Sequence, residues 1–142
     1  MTIPLLMLLG FAAWTLLLLS MTVGVYRWSR MFCGHAAIGD FPADRIEGEA
    51  WYQRSMRAHA NCVENLPVFG AIVLALLATK VGGAIVDYLS IAVLAARVVQ
   101  SSVHVAHEQT NAFVTVRFTF YCVQLACFSA LIVVIVRDSA AM

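Results

Sequence analysis

The chain has 142 residues, 62% of them hydrophobic and only 12% charged, with a formal net charge of +1. A soluble domain of this size carries roughly twice that share of charge, so the surplus apolar surface belongs in lipid. The length fits one domain spanning 1–142, and the near-neutral balance argues against nucleic acid or an acidic polymer as partner.

Taken in chain order, the apolar runs predict four crossings over about 3–26, 50–79, 83–105 and 112–136. The first, Ile3 to Tyr26, contains no charge and spans about 36 Å, enough for a hydrocarbon core of about 30 Å. It lacks a basic leader and is too long for a signal peptide, so it reads as a retained helix. The loop GHAAIGDFPAD follows, marked by its glycines, proline and aspartates, and EGEAWYQRSMRAH reads as an amphipathic helical start.

The second crossing carries the most information. Only 14 clean apolar residues run from Leu66 to Thr79, about 21 Å of helix. That is about 9 Å short of the core, so residues ahead of Leu66 must enter the membrane. Asn61 and Glu64 then lie at or below the bilayer surface, with Arg57 one turn further out. Pro67 is compatible with a membrane helix when neighbours re-satisfy the freed carbonyl. The third and fourth crossings each contain one arginine, Arg97 and Arg117.

If the helices cross in succession, the loops 27–50 and 105–112 share one membrane face. Arg27, Arg30, Arg45, Arg54 and Arg57 load that face, against Lys80 and Arg137 on the other. The bias predicts a cytoplasmic polar face with both termini outside, in a multi-pass protein that the resemblance described below places in a bacterial inner membrane.

Polar residues recur at helical spacing along three crossings: Arg57, Asn61 and Glu64; Arg97, Gln100 and His104; Arg117, Tyr121 and Gln124. Each set occupies one helix face, and ionisable groups inside a membrane face a bundle interior or cavity. Three cations against the single carboxylate of Glu64 suit an anion with several hydrogen-bonding groups. The bland alternative is a set of interhelical ion pairs that only hold the bundle. His104, His107 and Glu108 have ligand spacing but no second motif, so no metal is expected. Cys33, Cys62, Cys122 and Cys127 lack a CxxC pattern and read as small buried hydrophobes.

The stretch RSMRAHANCVENLP, or R-x-x-R-A-H-x-N-x-x-E-N-x-P, resembles the helix-two signature of the MAPEG superfamily, membrane-associated proteins in eicosanoid and glutathione metabolism. The resemblance extends to length, four crossings and the arginines of helices three and four, and is greatest to small bacterial members related to microsomal glutathione transferases. It implies an all-α, integral membrane four-helix bundle assembling as a homotrimer, with glutathione as co-substrate, no metal, and membrane lipids and a hydrophobic small molecule as further partners. On that resemblance Arg57, Asn61 and Glu64 contact glutathione, and His59 matches a ligand-contacting position facing the adjacent subunit. Arg97, Gln100 and His104 line the pocket, and Arg27 or Arg30 corresponds to a first-helix arginine. Arg117 aligns with the arginine credited with activating the thiol, and Tyr121 lies one turn on.

That activation is physically reasonable. A thiol of pKa about 8.5 is mostly protonated at neutral pH, and lowering that pKa by about two requires roughly 2.7 kcal/mol of differential stabilisation. Phe118, Gln100, His104 and Asn65 depart from the residues of the eicosanoid-forming branches, so eicosanoid synthesis is not implied. The implied activity is conjugation of glutathione to lipophilic electrophiles, with glutathione peroxidase activity as an extension. The alternatives are a non-catalytic lipid- or ligand-binding scaffold of the same superfamily and a small channel. A channel would carry polar residues along the full depth of its helices.

Overall fold

The computed structural model describes residues 1–41 and 47–140. Arg45, counted in the charge bias, and the end of the first loop lie outside the described residues. Four long helices dominate: α1 Ile3–Phe32, α2 Ala50–Thr79, α3 Ala84–Ala106 and α4 Asn111–Ala140. Each is long and apolar enough to cross a membrane, and the described residues contain no strand. The protein is therefore an integral, multi-pass, all-helical bundle.

The first helix does not stop at Tyr26. It widens into a π-helical turn over Leu19–Gly24 and continues as α-helix through Val25–Phe32. Thr22 Oγ1 donates to the Leu18 carbonyl at 2.5 Å beside this turn. Leaving the membrane and ending a helix are separate events: VYRWSRMF is too polar for the bilayer core but strongly amphipathic. Its apolar face is held by Tyr52 of α2, which stacks on Tyr26 at 4.1 Å between ring centroids. Arg27 and Arg30 thus belong to α1 and not to the loop where the apolar run placed them.

α2 passes through Pro67 without interruption. Its buried positions, including Ser55, Ala58, Cys62, Phe69, Ile72, Val73 and Leu76, recur every three or four residues. The core is a chain of aromatic rings, Phe11 to Phe69 at 6.0 Å and Phe69 to Phe128 at 5.9 Å. Lipid is as apolar as these rings, so their contribution is close packing and not escape from water. Gly10 permits the close approach of α1 to α3: a Cβ there would meet Leu94 Cδ2 at 2.9 Å. Of the cysteines only Cys62 and Cys127 are buried; Cys33 and Cys122 are exposed, contrary to their reading as core residues.

The turn between α2 and α3 begins with Lys80 in left-handed backbone, φ 55°. Glycine would adopt that conformation at about 1 kcal/mol less cost. At the other end of α3 the connection is short, residues 107–110, and His107 stacks on Phe113 with centroids 4.0 Å apart.

The packing is uneven, and this creates the site. α4 lies chiefly along α3 and only lightly against α2, while α1 covers α2 and α3 from the other side. An open-sided groove results, floored by α3 and walled by α2 and α4.

Candidate functional site

The groove encloses a cleft of about 300 Å³. α3 contributes Arg97 and Gln100; α2 contributes Asn61, Glu64 and Asn65; α4 contributes Val114, Arg117, Phe118 and Tyr121. Asn65 also donates its side-chain amide to the Asn61 carbonyl at 2.8 Å, one short step before Pro67.

Arg97 is the most constrained of these groups. It is only 1% exposed, donates from its guanidinium to Gln124 Oε1, and lies 5.5 Å from the Phe11 ring centroid. Ser101 caps the arrangement from behind: its hydroxyl donates to the Arg97 carbonyl at 2.5 Å and accepts from Trp14 Nε1 at 2.8 Å. Arg117, by contrast, is half-buried on the open wall. The floor arginine is clamped and the wall arginine is free to meet a ligand.

Charge and hydrogen bonding in the cleft are unbalanced. Two arginines face one carboxylate, Glu64, which is exposed at the rim. Among the described residues the sole ion pair is Arg30 with Glu49 at 3.6 Å, so Glu64 neutralises neither arginine by direct contact. Arg97 Nε, Gln100 Oε1 and Arg117 Nε are buried with no hydrogen-bond partner, and so are Gln124 Nε2 and His104 Nε2 on the same helix pair. Buried polar atoms are paired in the great majority of cases, and an unpartnered group costs about 1–3 kcal/mol. Five such atoms lie along the seam between α3 and α4.

The structure brings six of the expected site residues into the cleft: Asn61, Glu64, Arg97, Gln100, Arg117 and Tyr121. Five do not line it. Arg57 is exposed one turn outward on α2, and His59 is half-buried elsewhere on that helix. His104 is buried one turn beyond Gln100, near the charges of Arg117, Arg57 and Arg54. Arg27 donates to Tyr52 Oη at 2.8 Å and lies 5.3 Å from the Phe41 ring centroid. Arg30 donates to Tyr26 Oη at 3.2 Å and pairs with Glu49. Their placement follows from the extended first helix, which carries both into an aromatic cluster at its junction with α2.

Asn65, Val114 and Phe118, which line the cleft, and Gln124, which pairs with Arg97 behind it, were absent from the expected site. Val114 carries no polar signal, whereas Gln124 shares the stripe of Arg117 and Tyr121, and only its pairing with Arg97 needed coordinates. Among the described residues no three metal-capable side chains come together.

These features define a small multi-pass membrane protein with a cationic, incompletely hydrogen-bonded cleft between its helices. The chain belongs to the MAPEG family, which it matches over residues 5–137, and that family includes glutathione transferases. No curated protein and no solved structure matches it.

Proposed function

We propose that the protein is a membrane-bound glutathione transferase that conjugates glutathione to lipophilic electrophiles. The observation that carries this reading is the cleft with two arginines, one carboxylate and several buried atoms lacking partners. Glutathione offers the complementary set: two carboxylates, one ammonium, two amides and a thiol. Arg97 at the floor would take a carboxylate, Gln100 Oε1 would accept an amide N–H, and Glu64 at the rim would hold the ammonium. Arg57, just outside the cleft, would extend the positive field that draws the anion in.

Arg117 is the group for the sulfur. Its guanidinium stabilises the thiolate as the thiol releases its proton to water, and Tyr121 lies one turn along the same wall. The sulfur lone pair then forms the carbon–sulfur bond. The leaving group departs with its electron pair, or, where the electrophile is an activated double bond, the π pair moves to the adjacent carbon and takes a proton from water. Val114 and exposed Phe118 give the same cleft an apolar rim where a substrate dissolved in the bilayer can meet the thiolate. With a hydroperoxide the thiolate attacks the terminal oxygen instead, the O–O bond breaks and the alkoxide takes a proton to leave as alcohol. A second glutathione thiol then displaces water from the resulting sulfenic acid to give glutathione disulfide.

The reading includes a homotrimer with glutathione bound between neighbouring copies. Support comes from Glu64 and Arg57, exposed on a crossing helix, and from α4, which has no buried residue between Asn111 and Val123. Polar groups so placed do not face lipid at low cost. The arginine bias supports a cleft turned toward the cytoplasm, and a bacterial inner membrane rests on the likeness to small bacterial members alone.

The test is thiolate absorbance in the ultraviolet when glutathione is added to purified protein at neutral pH, with Arg117→Ala alongside. Stoichiometric absorbance that disappears in the variant is expected. Glutathione binding without thiolate would favour the scaffold reading, and absence of binding would remove glutathione altogether.

A further inference from the structure

The last two turns of α1 are built the wrong way round for water. Arg27 and Arg30 lie toward the junction with α2, Arg27 at 5.3 Å from the Phe41 ring centroid and Arg30 at 5.3 Å from that of Tyr26. Trp28 and Phe32 are turned outward, 59% and 80% exposed, with their rings stacked on each other at 5.4 Å. A helix on a protein surface in water keeps its charges outside and its apolar rings inside. The exposed rings also continue a stripe that begins within the membrane, where Leu17, Met21 and Val25 are exposed in turn. Each step from Leu17 to Phe32 is three or four residues. The two longer steps before Val25 fall at the π turn over Leu19–Gly24, whose extra residue keeps the stripe in line. Length agrees: the 30 residues Ile3–Phe32 make about 45 Å of helix, against about 40–45 Å for a bilayer with both headgroup layers.

We propose that the outward face of Val25–Phe32 is an interaction surface for the lipid headgroup layer, in which Trp28 and Phe32 are seated. The chemistry fits that layer and neither of its neighbours. The bilayer core would take the rings but not Ser29 and the two guanidinium groups beside them; water would take those groups but not the rings. The Trp28 indole has an apolar body and a single N–H, which can donate to a lipid phosphate or ester oxygen. The seat acts beyond α1. Tyr26 stacks on Tyr52 at 4.1 Å and Arg27 donates to Tyr52 Oη at 2.8 Å, so the depth of Trp28 sets the depth of the first turns of α2. Arg57 stands one turn beyond Tyr52 and takes its level from the same anchor. None of this depends on what the cleft binds.

The experiment is fluorescence quenching of the full chain reconstituted in phosphatidylcholine vesicles. The chain has 3 tryptophans, and Trp14→Phe with Trp51→Phe leaves Trp28 alone to report. A nitroxide is carried on the lipid headgroup or near the end of the acyl chain, and iodide is supplied in water on both sides of the membrane. Trp28 emission is expected to be quenched most by the headgroup nitroxide, less by the chain-end nitroxide and least by iodide. Phe32→Asp should lift the segment, so that iodide quenching rises and the emission moves to longer wavelength. Quenching chiefly by iodide overturns the proposal, because the face then stands in water. Quenching chiefly by the chain-end nitroxide overturns it by placing the rings in the core. Shielding from all three quenchers overturns it as well, by showing that a second copy of the chain covers the face. Circular dichroism confirms that the helices of each variant persist. Should the double variant not fold, the difference in quenching between the native chain and Trp28→Phe gives the same reading.

Discussion

Arg97 of α3 and Gln124 of α4 hold each other across the middle of the bundle, and each keeps a further buried nitrogen with no partner. Their contact joins the two helices that pack most extensively and sets the cleft floor at a fixed height.

Breaking that pair on one side alone should be costly. Gln124→Leu strands a buried guanidinium and should destabilise the protein by about 1–3 kcal/mol, read as a lower Tm in detergent. The double variant Arg97→Met, Gln124→Leu should lose less than the single one, because neither charge nor amide is left unpaired. A double variant at least as damaged as the sum of its parts would show that the two residues are not coupled.

Glu64 should govern affinity and not sulfur chemistry. Glu64→Gln removes the charge that the proposed ammonium would meet, so glutathione should bind about tenfold more weakly, a loss near 1.4 kcal/mol. At saturating glutathione the thiolate signal should return to full height. A thiolate signal that stays low at saturation would move Glu64 from binding into activation.

The aromatic junction predicts the opposite pattern. Gly48 has φ 129°, and a Cβ there would come within 2.8 Å of Tyr26 Oη and 3.2 Å of Tyr52 Cδ1. Gly48→Ala should therefore cost about 1–3 kcal/mol of stability through backbone strain and a displaced ring. Arg27→Ala should act in the same direction by removing the contact to Tyr52 Oη. Neither change should alter glutathione affinity in the molecules that remain folded, and titration calorimetry beside thermal unfolding separates the two effects.

Assembly gives a further check. If the exposed polar flank of α2 and the first half of α4 meet a neighbour, light scattering corrected for detergent should report three copies. Dilution to the monomer should abolish glutathione binding. A monomer with undiminished affinity would show that one chain completes the site.

Much of this arrangement was legible from residue order. Arg117, Tyr121, Asn61 and Glu64 fall at helical spacing in apolar surroundings, where polar groups are too costly to be incidental. The three-and-four periodicity that brought Gln100 and Arg97 together needs no coordinates. What escaped were interactions between helices. The pairing of Arg97 with Gln124 depends on how α4 leans on α3, and no spacing within one helix encodes that. Arg27 and Arg30 were misplaced for a different reason: hydropathy reports where a chain leaves lipid, whereas Tyr26 and Tyr52 decide how far the helix continues.

The wide turn over Leu19–Gly24 gives α1 a seam between two differently phased halves. A π turn holds one residue more than the α-helical turn it replaces, so deleting Met21 there would let the segment close into ordinary α-helix. Phe11 and Tyr26 would then keep the bearings they now have. The same deletion anywhere else in α1 would rotate one half against the other by about 100° and turn either the ring core or the aromatic junction toward lipid. The first helix thus has a single place where its length can change without loss of aim.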